Sequence, residues 1–95
     1  MNVLVIDGQG GGLGRQLVAA LSAQCPDIRL VAVGTNSVAA QAMHKAGAQR
    51  AATGENAVVV NCRSADIIVG PKDGCSEGIC KLISGQYFLN QNVYL

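Results

Sequence analysis

Residues 6–17 read IDGQGGGLGRQL. Five glycines, Gly8, Gly10, Gly11, Gly12 and Gly14, fall within seven residues. The aliphatic run Val3-Leu4-Val5-Ile6 precedes them, and a helix-like run from Leu13 to Gln24 follows. Strand, glycine turn and helix in that order make the first unit of a parallel α/β sheet. Glycines at such a turn permit positive φ and let the backbone approach a ligand with no Cβ in the way. The helix behind them presents unpaired N–H groups and a partial positive charge, which suits a phosphate or another anion.

The pattern continues outward from that unit. Leu13, Leu17 and Leu21 recur at fours with Val18 beside them, so the first helix is expected over 13–24 with these residues facing the sheet. Pro26-Asp27 ends it, and a second strand follows over 28–33. A second helix is expected over 37–46, capped by Thr35 or Asn36 and closed by Gly47. Its apolar face is read as Val38, Ala42, Met43 and Ala46, with Gln41, His44 and Lys45 on the polar side. A weak strand pattern covers 49–52.

Two signals compete over 55–63. Val58-Val59-Val60 favours a strand, whereas Thr53 as cap and Glu55 near the start favour a helix. A strong strand pattern at 66–70 follows, and a helix between two parallel strands is what a right-handed crossover needs, so helix is expected. Gly70-Pro71 stops that strand. Beyond it, 76–84 has a short helix pattern closed by Gly85, while 87–89 and 93–95 are apolar without clear period. The fold class is a small Rossmann-like open parallel sheet. Residues 1–71 form the α/β domain, and 72–95 are its divergent or truncated C-terminal segment.

Composition agrees with that class and narrows the partners. Of 95 residues, 49% are hydrophobic but only Phe88, Tyr87 and Tyr94 are aromatic, which describes an aliphatic core between helices. A chain this short has a thin stability margin that a second copy would widen, so a homodimer is among the expectations. The net charge of +1 comes from singly scattered residues, which disfavours nucleic acid and anionic membrane as partners. Asp7 interrupts the first apolar run far short of a signal core or membrane span, so the cytoplasm is the expected compartment. Cys25, Cys62, Cys75 and Cys80, with His44 as sole histidine, match no zinc spacing, and no metal site is expected.

Spacing distinguishes the phosphate loops. The dinucleotide pattern G-x-G-x-x-G fails at Leu13, and the Walker pattern fails because Arg15-Gln16 stands where a lysine and hydroxyl are needed. The spacing G-x-x-x-G-x-G fits through Gly8, Gly12 and Gly14. This resembles the loop of short-chain dehydrogenase/reductases, T-G-x-x-x-G-[IL]-G, with Asp7 in place of the threonine. That resemblance implies NAD(P) as a possible cofactor. The group's catalytic Y-x-x-x-K is absent, since Gln91 stands four residues after Tyr87. Gly34-Thr35-Asn36 also lacks the acidic residue that grips an adenosine ribose and the arginine that accepts its 2′-phosphate. A complete reductase is not expected, and no other catalytic constellation is evident.

A closer resemblance spans residues 1–71. Val5-Ile6-Asp7-Gly8-Gln9-Gly10-Gly11-Gly12, Gly34-Thr35-Asn36, Ala46-Gly47-Ala48, Ala52-Thr53-Gly54-Glu55-Asn56-Ala57 and Asp66-Ile67-Ile68-Val69-Gly70-Pro71 are similar to a family of short bacterial proteins classed as a domain of unknown function. The family implies no activity. Lys72-Asp73-Gly74-Cys75 and the tail depart from its pattern.

All these loops follow strands, so they gather at the carboxyl edge, where open α/β sheets bind ligands. The expected phosphate cradle is Gly8, Gln9, Gly10, Gly11, Gly12, Leu13 and Gly14. Asp7, Gly34, Thr35, Asn36, Thr53, Glu55 and Asn56 would surround the rest of a nucleotide, dinucleotide or other phosphate-bearing ligand. Each has a plainer role as well. Thr35, Asn36, Thr53 and Glu55 suit helix starts, and the glycine loop can be only a tight turn. Asp7 would repel phosphate, yet its oxygens can accept the loop's own N–H groups. The alternative function is a non-catalytic structural or regulatory module acting through dimerisation or protein contacts.

Overall fold

The computed structural model describes residues 1–8, 12–69 and 92–94. Five strands lie parallel in the order β3-β2-β1-β4-β5. Chain order runs β1 (Asn2–Asp7), α1 (Gly12–Gln24), β2 (Arg29–Gly34), α2 (Ser37–Ala46), β3 (Arg50–Thr53), α3 (Glu55–Cys62), β4 (Ile67–Val69) and β5 (Asn92–Tyr94). β1 is central: it pairs with β2 from Asn2↔Arg29 to Asp7↔Gly34 and with β4 from Val3↔Ile67 to Val5↔Val69. The expected α/β class and the seven expected elements are present. Strand formation at 92–94, expected only as apolar sequence, adds β5 beside β4 with Ile68↔Val93. Three residues carry too little periodicity to announce a strand, and parallel pairing with β4 supplies what local sequence does not. The helix pattern at 76–84, the apolar residues 87–89, Gly70-Pro71, Cys75 and Cys80 lie outside the described residues.

The period-2 alternation of β1 divides the core between the two faces. Val3 and Val5 join Val18, Leu30, Ala32, Ala39, Met43 and Ala48 under α1 and α2. Leu4 and Ile6 join Val33, Val58, Cys62, Ala65 and Ile68 under α3. A strand buried on both faces reads as an unbroken aliphatic run, which is what residues 3–6 show. In α3, Val58 and Cys62 stand one turn apart and are both fully buried, whereas Val60 is 54% exposed. Helical burial of that pair outweighs the strand preference of three consecutive valines, because propensity yields to tertiary packing.

Three local expectations need correction. Thr53 is the last residue of β3, not a helix cap; Gly54 caps α3 at φ 97° with no side-chain hydrogen bond. Only glycine adopts that backbone without strain. Leu13 is 50% exposed, and Gly14 instead is the first-turn residue of α1 that meets the sheet. Val38 is 62% exposed, because Ala39, Ala40 and Met43 turn inward from α2. Small side chains win at both helix starts since the strand ends are too close for larger ones. A Cβ on Gly14 would lie 2.6 Å from the Asp7 Cβ and 2.8 Å from the Met43 sulfur. A Cβ on Gly34 would lie 2.6 Å from the Ala40 nitrogen. Elsewhere α2 behaves as expected: the Asn36 side chain accepts from Ala39 N–H at 2.9 Å, and Gly47 ends the helix at φ 131°.

Two predictions follow from this packing. Gly14→Ala should lower unfolding free energy by about 1–3 kcal/mol through overpacking, whereas Gly12→Ala, whose Cβ would meet nothing within 4 Å, should leave it unchanged; urea titration with constant m-value distinguishes them. Burial pushes the Cys62 thiol from 9.0 to about 11. The folded state therefore holds the neutral thiol while the unfolded chain ionises earlier. Stability from this group is whole below pH 9.0 and is lost as pH rises to about 11, by about 2–3 kcal/mol. Urea midpoints measured across that window should fall less in Cys62→Ala than in the parent.

Candidate functional site

Register brings the sequence-predicted residues to one edge. Asp7 pairs with Gly34, and Gly34 pairs with Thr53, so three strand ends stand side by side. Backbone bonds join the loops beyond them: Thr35 N–H donates to the Asp7 carbonyl at 3.0 Å, and Gly54 N–H to the Gly34 carbonyl at 3.1 Å. Thr35 is half-buried, while Asn36, Thr53 and Asn56 are exposed. Gly12 and Leu13 open α1 at the same edge and are exposed. Gln9, Gly10 and Gly11, and the side chain of Glu55, lie outside what the structure describes.

Asp7 is the buried polar residue among those described, at 4% exposure. Its two carboxylate oxygens hold the two ends of the glycine loop. Oδ1 accepts from Gly8 N–H at 2.8 Å, and Oδ2 accepts from Gly14 N–H at 2.8 Å. Both bonds are charge-assisted, and the second places a full negative charge against the positive end of α1. Asp7 thus has the loop-binding role that its position allowed. The sequence indicated that Asp7 and loop amides meet; it did not indicate that Gly14, seven residues on, is the second donor. Gly14 in turn makes no approach to open space, because Asp7 and Met43 enclose it. Gly8 is buried as well.

The edge also carries space. A cavity of about 400 Å³ runs between α2 and the outer strand β3, from Ser37 and Thr53 to His44 and Lys45. It touches Thr53 but none of the described loop residues Gly8, Gly12, Leu13 and Gly14. His44 and Lys45 are exposed in the last turn of α2, where cations suit the helix dipole. Among the described residues no three His, Cys, Asp or Glu side chains converge, and no helix is long and apolar enough to cross a membrane.

Asp7→Asn should lower stability by about 2–4 kcal/mol, because the single amide oxygen can take only one of the two carboxylate-oxygen positions and the NH₂ at the other would oppose its N–H. Denaturant unfolding measures the loss, and faster amide exchange at Gly8 or Gly14 locates it. Unchanged stability would contradict the clamp.

No curated protein matches the chain. The family model described as a domain of unknown function, DUF3842, matches residues 2–75. That span takes in β1 to β4 and the loops after β1, β2 and β3, and it includes Lys72-Asp73-Gly74-Cys75, which were expected to depart from the family pattern. By that match the chain belongs to the DUF3842 family.

Proposed function

We propose that this protein binds a small phosphate-bearing ligand, a nucleotide or dinucleotide such as NAD(P), at the carboxyl edge of its sheet in the cytoplasm. Within the loop of Gly8, Gln9, Gly10, Gly11, Gly12, Leu13 and Gly14, the residues from Gln9 to Leu13 contact the phosphate, while Gly8 and Gly14 hold the loop to Asp7. Thr35, Asn36, Thr53, Glu55 and Asn56 surround the remainder, above the buried strand ends at Asp7 and Gly34. The observation that carries this reading is the alignment of Asp7, Gly34 and Thr53 beside an exposed helix start at Gly12, where a Cβ would meet nothing within 4 Å. Ligands of open α/β sheets collect at such an edge.

Charge limits how the ligand is held. A helix N-terminus offers roughly half a positive charge, and the Asp7 carboxylate more than offsets it. Gly8 and Gly14 have committed their N–H groups to Asp7. Attraction for phosphate then comes from hydrogen bonds of the remaining loop amides rather than from the helix dipole. The same Asp7 bonds favour a second reading, in which the loop is a tight connection in a non-catalytic module that acts through dimerisation or protein contacts.

Calorimetric titration with NAD⁺, NADP⁺, ATP and inorganic phosphate tests the first reading. One nucleotide is expected to bind at a single site, and Gly12→Leu, which fills open space without touching the fold, should weaken it by at least about tenfold, or 1.4 kcal/mol. Absence of binding by the folded parent, together with a concentration-dependent dimer in light scattering, would instead establish the second.

A further inference from the structure

The amino edge of the sheet, opposite the glycine loop, carries a pair of arginines that the proposed function does not use. Arg29 opens β2 and Arg50 opens β3. Val31 is the pairing partner of Arg50, and Arg29 lies two residues before Val31 on the same face of the sheet. Strand spacing and rise place the two Cα atoms about 8 Å apart on that diagonal. Both residues, exposed at the surface, border one open cavity of about 130 Å³ between the sheet and the end of α3. Leu4 and Val31 contribute apolar wall, and Asn2, Asn61 and Ser64 contribute polar groups.

We propose that this cavity is a site for a small tetrahedral oxyanion, phosphate or sulfate, held between the guanidinium groups of Arg29 and Arg50. Three observations carry it. Neither arginine has an ion pair among the described residues; Asp66, on the same edge, uses Oδ2 to accept the Asn2 backbone N–H at 2.7 Å. Both charges are permanent, since arginine does not deprotonate in proteins. The C-terminal end of α3 offers about half a negative charge and the Asp66 carboxylate beside Asn2 a full one, which leaves the two arginines with positive charge in excess beside one open cavity. The planar guanidinium fork matches an oxyanion in pairs of hydrogen bonds.

Size selects the ligand class. At about 130 Å³ the cavity has room for only a few water-sized groups. That accommodates a tetrahedral anion with a water or two, and is well below the several hundred Å³ of pockets for nucleotide-sized ligands. The site is also separate from the carboxyl edge. Asn2 and Asp7 stand at opposite ends of β1, about 16 Å apart at the usual rise per residue, so one phosphate cannot reach both.

Titration of the ¹⁵N-labelled full chain with inorganic phosphate and with sulfate, at constant ionic strength against chloride, tests this independently of any nucleotide. Saturable shifts are expected at the Arg29 and Arg50 side-chain Nε–H groups and at the Asn2, Asn61 and Ser64 amides. Arg29→Gln and Arg50→Gln should each weaken binding by roughly tenfold to a hundredfold. Arg29→Lys and Arg50→Lys, which keep the charge and lose the fork, should fall in between. Lys45→Gln removes the same charge from α2 and should leave binding unchanged. Shifts that do not saturate, that follow chloride equally, that Lys45→Gln reduces as much, or that survive both arginine-to-glutamine substitutions would each overturn the proposal. Nucleotide binding at the glycine loop could fail without affecting any of these readings.

Discussion

A single carboxylate ties the two halves of the first β–loop–α unit together. Asp7 ends the central strand, and its oxygens accept from Gly8 and Gly14 on either side of the glycine loop. Its main-chain carbonyl accepts from Thr35 at the end of β2. Through Gly14 the same contact reaches Met43 in α2. Four elements therefore share one small region in which each atom is placed by another. A buried carboxylate is tolerated there because both oxygens are hydrogen-bonded and a helix N-terminus faces it.

That arrangement explains why this edge is built from small residues. A carboxylate can accept from a helix amide only if the helix lies close on the strand, and close approach excludes a Cβ at Gly14. Gly34 has the same relation to Ala39 and Ala40 at the start of α2. The glycines at 8–14 thus do different things. Gly8 and Gly14 serve the clamp, and Gly12 borders open space. A glycine count alone treats them as equivalent.

The sheet is asymmetric in what its edges present. At the carboxyl edge, Asp7 offsets the dipole of α1, Arg15 is exposed in the first turn of that helix, and Glu55 opens α3. At the amino edge, Arg29 and Arg50 begin adjacent strands and share a cavity near the end of α3. Membership of the DUF3842 family covers both edges, since the match extends from residue 2 to residue 75.

Sequence alone determined the element order and the class of sheet. Residues 3–6 are aliphatic without a break, which marks a strand buried on both faces, and Asn36 and Gly47 bracket α2 by local capping chemistry that needs no distant partner. It also placed the candidate loops at one edge, because strand–turn–helix repetition fixes which end of each strand a loop follows. It misassigned Leu13, Val38 and Thr53, since a helix wheel records hydrophobicity and not how close a neighbouring strand comes. Only the tertiary structure decided that Gly14 is Asp7's second partner, that residues 92–94 pair with β4, and that Arg29 and Arg50 share a cavity. Each depends on register or interlayer distance between segments far apart in the chain, and no local pattern of residues encodes those.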